Sequence, residues 1–348
     1  MIENFRSNWQ LPENYWYIVC EAKELGSRPI AAEISGMPLV LFRGENKEAR
    51  ALLDVCPHRN VALSKGESIN GNIQCYYHGW QFSGEGRCKK IPGFKGKCDL
   101  KARKVKSFDT AEKYGFIWIY LSMKEKAETS IDGPPFIGDS AYKTVFHPSL
   151  MESNLISLAE NILDVPHTAF LHKGLFRNDD SKKKSIEVEL KRSKDRVECQ
   201  FLGEERPGGF LGRVLAPGGG EVYHVDRFIL PNIAQVEYKL EKTHLISSNY
   251  LIPLNRKEIK MYTFVSIKFP FGVNFVSKVA QPVLKKILKQ DAEVLKEQSR
   301  HIEKIGSENF VSSEIDFFRP HILKLLKEAA NEGPQPAKEF KKKYQLEI

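Results

Sequence analysis

The pattern of apolar and polar positions changes character partway along the chain. Over the first ~125 residues the apolar runs are short, strand-length and rich in β-branched and aromatic side chains, as in Met37–Phe42 (MPLVLF) and Tyr114–Leu121 (YGFIWIYL). Between them stand the turn formers Asn70-Gly71, Ser83-Gly84-Glu85-Gly86 and Pro92-Gly93. This spacing predicts a small all-β unit. The polar stretch Lys124–Pro135 (KEKAETSIDGPP) has the composition of a linker and divides the chain into residues 1–130 and 136–348. The second part opens with a helical pattern over Asn154–Leu171. Six strand-like segments follow at Ile186–Leu190, Arg196–Leu202, Val222–Leu230, Ala234–Leu240, Leu245–Ile252 and Ile259–Ile267, interrupted by Pro207–Gly209 and Pro217–Gly220. A long amphipathic segment then runs from about Pro282, suitably placed for a first helical turn, to Ile305. The Lys-rich tail after Gly333 reads as a weakly ordered end. A sheet bracketed by helices is an α+β arrangement rather than a doubly wound parallel one.

Composition narrows the setting. The chain has 348 residues, 41% of them apolar and 28% charged, which suits a globular protein and excludes disorder and collagen-like folds. Six cysteines are too few for a disulfide scaffold of this size. The most apolar short stretch, Tyr114–Met123, is about half the roughly 20 residues needed to span a bilayer. No signal-peptide pattern opens the chain, so a reducing, cytoplasmic setting is expected. Lys and Arg exceed Asp and Glu by 9, a preference for acidic partners. No basic stripe interleaved with aromatics argues for nucleic acid.

The six cysteines then prove unequal. Cys56-Pro57-His58 and Cys75-Tyr76-Tyr77-His78 form a C-x-H-x16-C-x2-H pattern on loops that bear Gly and Pro. Buried structural cysteines, a zinc knuckle and a disulfide are the competing readings. None explains two mixed pairs, since zinc fingers usually set two cysteines together and two histidines together. A two-iron cluster suits the mixture, with both thiolates on one iron and both imidazoles on the other, which is the Rieske arrangement. The stretch CPHRNVALSKGESINGNIQCYYHGWQF resembles the cluster-binding segment of the Rieske non-haem iron oxygenases. The extra cysteine that cytochrome bc-type Rieske proteins carry after the first ligand is missing from Arg59–Leu63. Trp80 is expected to pack against the cluster loops.

A second constellation lies in ENILDVPHTAFLH, where Asn161, Asp164, His167 and His172 are spaced N-x2-D-x2-H-x4-H. On a helix Asp164 and His167 share a face, so the carboxylate can accept the other ring N–H of a metal-bound imidazole. His167 and His172 are five apart, about 140° off one face of a straight helix, and Pro166 is placed to break it. Asp291 falls amid the apolar stripe of the long segment, three to four residues from Ile287, Leu288 and Val294. A protonated or salt-bridged core Asp would explain it, but metal ligation does so better once two imidazoles need an anionic partner for an Fe(II) facial triad.

The resemblance extends over essentially the whole chain. It implies that His167, His172 and Asp291 are ligands of a mononuclear Fe(II), and that Asp164 links that iron to a cluster histidine, here His78, of a neighbouring subunit in a head-to-tail homotrimer. It further implies a helix-grip (START-like) second domain. The two-residue gap between Asn161 and Asp164 is similar to the monooxygenase and demethylase branch rather than to ring-dihydroxylating members. The reading is therefore a terminal oxygenase that hydroxylates or oxidatively demethylates an apolar substrate, aromatic, steroid-like or alicyclic, with O2. Its electrons would come from NAD(P)H through a separate ferredoxin or flavin reductase, since no G-x-G-x-x-G appears. The rivals are a cis-dioxygenase of the same family, a non-catalytic Rieske electron carrier with two irons per chain instead of three, and a zinc-structured binding module. Cys20, Cys88, Cys98 and Cys199 read as ordinary thiols, and His224 and His244 as core or surface groups more than pocket residues. Lys182-Lys183-Lys184 and Lys341-Lys342-Lys343 read as solvated faces. The positive excess reads as a docking surface for an acidic electron donor.

Overall fold

A computed structural model describes residues 11–122, 126–127, 130–173, 185–204, 222–240, 242–270, 273–332 and 339–347. Two compact units result, one reaching to Gly133 and including Leu254–Arg256, the other formed by Pro134–Pro253 and the residues from Lys257 onward.

The first unit is built of strands β1 (Tyr15–Glu21), β2 (Ile30–Ile34), β3 (Met37–Arg43), β4 (Ala49–Leu53), β5 (Glu67–Ile69), β6 (Asn72–Gln74), β7 (Gln81–Phe82), β8 (Cys88–Lys90), β9 (Ser107–Lys113) and β10 (Phe116–Leu121). They form an antiparallel sheet of order β1-β10-β9-β4-β3-β2 and a smaller one of order β5-β6-β7-β8. Every residue of β10 is buried, as its unbroken apolar run requires. Three hairpins close on two-residue turns whose central residues both have positive φ: Ser35-Gly36, Asn70-Gly71 and Tyr114-Gly115. That is the type I′ geometry that matches strand twist. The Asn70-Gly71 turn fixes the β5–β6 hairpin lying between the two Cys/His loops.

The second unit contains β11 (Lys143–Glu152), β12 (Ser185–Arg192), β13 (Arg196–Leu202), β14 (Tyr223–Ile229), β15 (Ile233–Leu240), β16 (Thr243–Pro253), β17 (Glu258–Lys268) and β18 (Phe340–Glu347). Among the described residues these make one antiparallel sheet of order β11-β17-β16-β15-β14-β13-β12-β18. Its helices are α1 (Leu155–Leu163), α2 (His167–Phe170), α3 (Val273–Ile305) and α4 (Phe318–Glu332). Helix α1 packs on β15, α3 packs on β11, and α4 packs on α1 and β13. No helix among the described residues is long and apolar enough to cross a membrane.

The six strands expected in this unit appear, while two other elements differ. Helix α3 begins at Val273 and carries Pro282 inside it, not in its first turn. Proline forfeits its own N–H and crowds the carbonyl one turn before it, yet the helix continues on both sides. The helical segment expected over Asn154–Leu171 is present and is interrupted where Pro166 was expected to break it, leaving two helices on either side of Asp164–Pro166. The Lys-rich tail is not a loose end beyond residue 339, because FKKKYQLE forms the edge strand β18 along β12. Leu346 is buried, while Lys341 and Lys343 reach Glu189 (2.5 Å) and Glu187 (2.8 Å). Lysines on an outer strand also discourage further pairing. Pro207–Gly209, Pro217–Gly220 and Lys182–Lys184 lie outside the described residues. The six cysteines are all free thiols.

Candidate metal centres

The two Cys/His loops of the first unit repeat one backbone scheme. Cys56 N–H donates to Val61 O (2.9 Å) and Asn60 N–H returns to Cys56 O (2.8 Å). Cys75 N–H donates to Trp80 O (2.8 Å) and Gly79 N–H returns to Cys75 O (3.0 Å). The fifth residue of each loop has positive φ, 55° at Asn60 and 69° at Gly79, which lets the chain turn back on itself. Both cysteines are buried, whereas His78 is exposed, as are Tyr76 and Tyr77 just before it. The His58 and His78 rings lie 4.5 Å apart, and Trp80 stacks on His58 at 4.7 Å and 7°, as expected of it.

This donor set fits a cation-bearing cluster. Burial, with the neighbouring Cys75 adding to it, pushes the Cys56 thiol up to about 11 against the opposing pull of the His58 N–H. Two thiolates side by side there therefore call for positive charge. His58 Nδ1 is buried with no hydrogen-bond partner, a lone pair awaiting an acceptor of electrons.

In the second unit His167 Nε2, His172 Nε2 and Asp291 Oδ1 converge. The two ring nitrogens are 3.3 Å apart, and the carboxylate oxygen is 3.1 Å from His172 and 3.8 Å from His167. All three donor atoms lie within 4.8 Å of one another, close enough to surround one ion. Each imidazole is oriented through its other nitrogen. His167 Nδ1 meets the Asp164 carbonyl and lies 3.4 Å from its carboxylate. His172 Nδ1 lies 3.1 Å from Gln290 Oε1, and Gln290 Nε2 donates to Leu171 O at 3.1 Å, which fixes the amide. Both Nε2 lone pairs are thus left for a metal. Burial opposes charging His167, but Asp164 and Asp291 outweigh it and raise its pKa. Asn161 Nδ2 reaches towards Asp291 (3.5 Å), while its Oδ1 is buried without a partner.

These side chains border a cavity of ≈ 230 Å³ lined by α1, α3 and one face of the sheet. Leu284, Ile287, Leu288 and Asp291 line it from successive turns of α3. Strand register lays the floor in rows, with Tyr238, Leu245 and Ile267 in one and Asp226, Val236, Ser247 and Val265 in the next. Asp164, 43% exposed, also borders a second, more open groove with Phe310, Val311 and Ile315. The chain thus brings together Asn161, Asp164, His167, His172 and Asp291 at one site and Cys56, His58, Cys75 and His78 at another. Gln290 was missed by sequence reasoning, its signal being only its place beside Asp291.

An all-β unit bearing paired Cys/His loops, followed by a sheet-and-helix unit bearing two His and an Asp, defines a Rieske-type non-haem iron protein. Residues 15–109 match the Rieske [2Fe-2S] domain, and residues 151–332 match the vanillate O-demethylase oxygenase C-terminal domain. The latter match covers more than half of the chain, which belongs to this family of oxygenase components. Similar proteins include the oxygenase component of dicamba O-demethylase from Stenotrophomonas maltophilia, 34% identical over 169 residues (48% of this chain, 49% of that protein). A vanillate O-demethylase oxygenase subunit from a Pseudomonas species is 29% identical over 172 residues (46% and 45%). The chain thus spans about half the length of these relatives. Dicamba monooxygenase bound to dicamba superposes with a TM-score of 0.73 at 22% identity, over 91% of this chain and 97% of that one. Pseudomonas putida NdmA with caffeine does so at 0.72 and 23% over 90% of each. At such identity the likeness is one of fold.

Proposed function

We propose that the chain is a terminal oxygenase component that uses O2 to hydroxylate or oxidatively demethylate an apolar substrate. The observation that carries this reading is the convergence of His167 Nε2, His172 Nε2 and Asp291 Oδ1, within 4.8 Å of one another, at the edge of an apolar cavity. Cys56, Cys75, His58 and His78 would hold a [2Fe-2S] cluster, and His167, His172 and Asp291 a mononuclear Fe(II). When bound, the cluster supplies single electrons and the ferrous ion a site with open positions for oxygen.

The chain's own residues do the rest. The buried cysteines keep the thiolate end from water, and exposed His78 offers the other end to a donor. Asp164 and Gln290 hold the imidazoles in one tautomer and orientation. Leu284, Ile287 and Leu288 bind apolar substrate and exclude water beside the three donor atoms. The exposed side of Asp164, opening on the Phe310–Val311 groove, supports its role as the link to His78 of a neighbouring subunit in a homotrimer. We further read the sheet with its long helix as a helix-grip fold in the cytoplasm. Its electrons come from NAD(P)H through a separate reductase or ferredoxin, for which the excess of 9 positive charges is the attraction.

Metal and sulfide analysis of the reconstituted protein tests this directly, combined with oxygen uptake driven by NADH and a surrogate reductase over a panel of aromatic ethers and steroids. Three irons and two acid-labile sulfides per chain, with substrate-dependent uptake, are expected. Two irons and no uptake would make it a carrier, and zinc without sulfide a structural module.

A further inference from the structure

The charged lining of the cavity is already engaged. His167, His172 and Asp291 face one another at the metal site. His224 of β14, fully buried, lies between two carboxylates, with Nδ1 2.6 Å from Glu204 Oε2 and Nε2 3.0 Å from Asp226 Oδ1. Phe201 and Tyr238 stack on either side of its ring, at 4.4 Å and 18° and at 4.0 Å and 21°. The neutral polar groups of the floor remain to meet a substrate.

Three of these form a chain with a fixed direction. Strand register sets Asn249 of β16 beside Thr263 of β17 and Ala234 of β15, with Ser247 two residues earlier on the same face. Asn249 and Thr263 are buried, Ser247 is half-buried, and all three line the cavity. Asn249 Nδ2 donates to Ala234 O at 3.1 Å. A carbonyl oxygen only accepts, so this contact decides which end of the amide is nitrogen. The amide oxygen therefore faces Thr263, whose hydroxyl donates to it (2.8 Å). The second amide N–H goes to Ser247 Oγ (3.3 Å). The Thr263 proton and both amide protons are thus spent, while the Ser247 hydroxyl donates to no acceptor among the described residues.

A hydroxyl that has accepted a hydrogen bond becomes a stronger donor. Ser247 holds this donor in the middle row of the floor, between Val236 and Val265 and next to Leu245, whose side chains offer it nothing. A hydrocarbon lying there would leave the donor unmet and displace any water that met it.

We propose that Ser247 determines the specificity of this cavity: its hydroxyl, aligned by Asn249 and Thr263, donates a hydrogen bond to a carbonyl oxygen of an otherwise apolar substrate. A carbonyl answers the donor at no further cost. It brings no charge to be buried among the valines, as a carboxylate would, and no proton needing a partner of its own, as an alcohol would. The proposal rests on the oxygenase reading only in taking this cavity as the substrate site.

Indanone and indane share a ring system and differ by one carbonyl. Calorimetric titration of the iron-loaded protein, kept anaerobic, gives the ratio of their affinities without turnover. Infrared difference spectra of isotope-labelled indanone report whether its bound oxygen is hydrogen-bonded. Ser247→Ala is expected to shift the ratio against indanone by about fivefold, the scale of one neutral hydrogen bond. The carbonyl band, lowered in the wild type, is expected to return to higher frequency in the variant. Ser247→Thr, which keeps the hydroxyl, is expected to retain both wild-type values. Should alanine not fold there, Ser247→Cys keeps the shape, replaces the hydroxyl by a weak donor and carries the same expectation as alanine. A ratio unchanged within about twofold, a wild-type band at the frequency seen in an alkane, a lowered band that persists without the hydroxyl, or no binding of indanone each overturns the proposal. Oxygen uptake is a separate readout, so a chain that holds the ketone through Ser247 yet never consumes oxygen refutes the oxygenase reading and not this one.

Discussion

Replacing His224 by leucine separates the electrostatic role of this residue from its packing. Leucine can still fill space between Phe201 and Tyr238, but it cannot donate to Glu204 and Asp226, which are left buried and facing one another's charge. Removing one partner of a buried ionic group destabilises by about 3–5 kcal/mol. For a unit of this size each kcal/mol is worth roughly 2–4 °C, so the thermal midpoint should fall by about 10 °C at neutral pH. The pH dependence gives the sharper test. Burial opposes the charge on His224, yet Asp226 and Glu204 outweigh it and hold its pKa up at about 9, above the ordinary 6.5. A raised folded-state pKa means stability that is complete below pH 6.5 and lost as pH rises through about 9. The wild-type midpoint should therefore decline across that interval, by the equivalent of about 3 kcal/mol at most. His224→Leu should show no such decline, and should recover towards acid pH as the two buried carboxylates take up protons. Differential scanning calorimetry at intervals from pH 5 to 10 reads both curves. Curves that run parallel, or a variant within a degree or two of wild type at neutral pH, would refute the reasoning.

Asp164→Asn should keep both metal sites filled, as measured by iron and sulfide content, yet lower substrate-dependent oxygen uptake about 100-fold or more, because the backbone carbonyl still orients His167 while the side chain beside it loses the negative charge that the proposed link to His78 of a neighbouring subunit uses. Gly66→Ala should reduce acid-labile sulfide per chain, since a methyl group there overlaps the Gln74 carbonyl oxygen next to Cys75; full sulfide content would count against that close approach. Fe(II) added anaerobically to iron-free protein should raise its thermal midpoint, by about 2.7 kcal/mol of stabilisation at a hundredfold excess over Kd, and Asp291→Ala should abolish the rise.

What the sequence discloses depends on how local each feature is. The Asn70-Gly71 turn was legible because both residues favour positive φ. Tyr114 takes the same conformation (57°) against its own preference, because β9 and β10 pair in a register that leaves only two residues for the turn. The Lys-rich tail misled because its apolar positions are few. Phe340, Tyr344 and Leu346 become an ordered strand only when β12, about 150 residues earlier in the chain, supplies the partner and the two glutamates. The same division holds at the sites. Cys56, His58, Cys75, His78, His167 and His172 sit in short motifs with telling spacings, and Asp291 betrayed itself as a charge in an apolar stripe. Gln290 touches His172 across 118 positions of sequence, and Glu204 reaches His224 across a gap that no spacing rule spans. His224 accordingly looked like an ordinary core histidine, and in burial it is one; its two carboxylates make it something more.

The break between α1 and α2 shows how one backbone irregularity can serve both geometry and chemistry. A continuous helix would point His167 and His172 about 140° apart. It would also tie up the Asp164 carbonyl with the Thr168 N–H. Here Thr168 N–H bonds to Val165 O instead (3.2 Å), one residue short of the α-helical partner, and its hydroxyl takes the same oxygen (2.7 Å). Proline at 166 has no N–H of its own to continue the ladder. The Asp164 carbonyl is thereby released, and His167 Nδ1 takes it, which turns Nε2 towards His172 and Asp291. His172, lying beyond the single turn of α2, is free to approach from the other side, where Gln290 of α3 holds it. The irregular turn that ends α1 therefore both aims the two imidazoles at one point and provides the acceptor that locks the first of them. Neither result would follow from a better-formed helix.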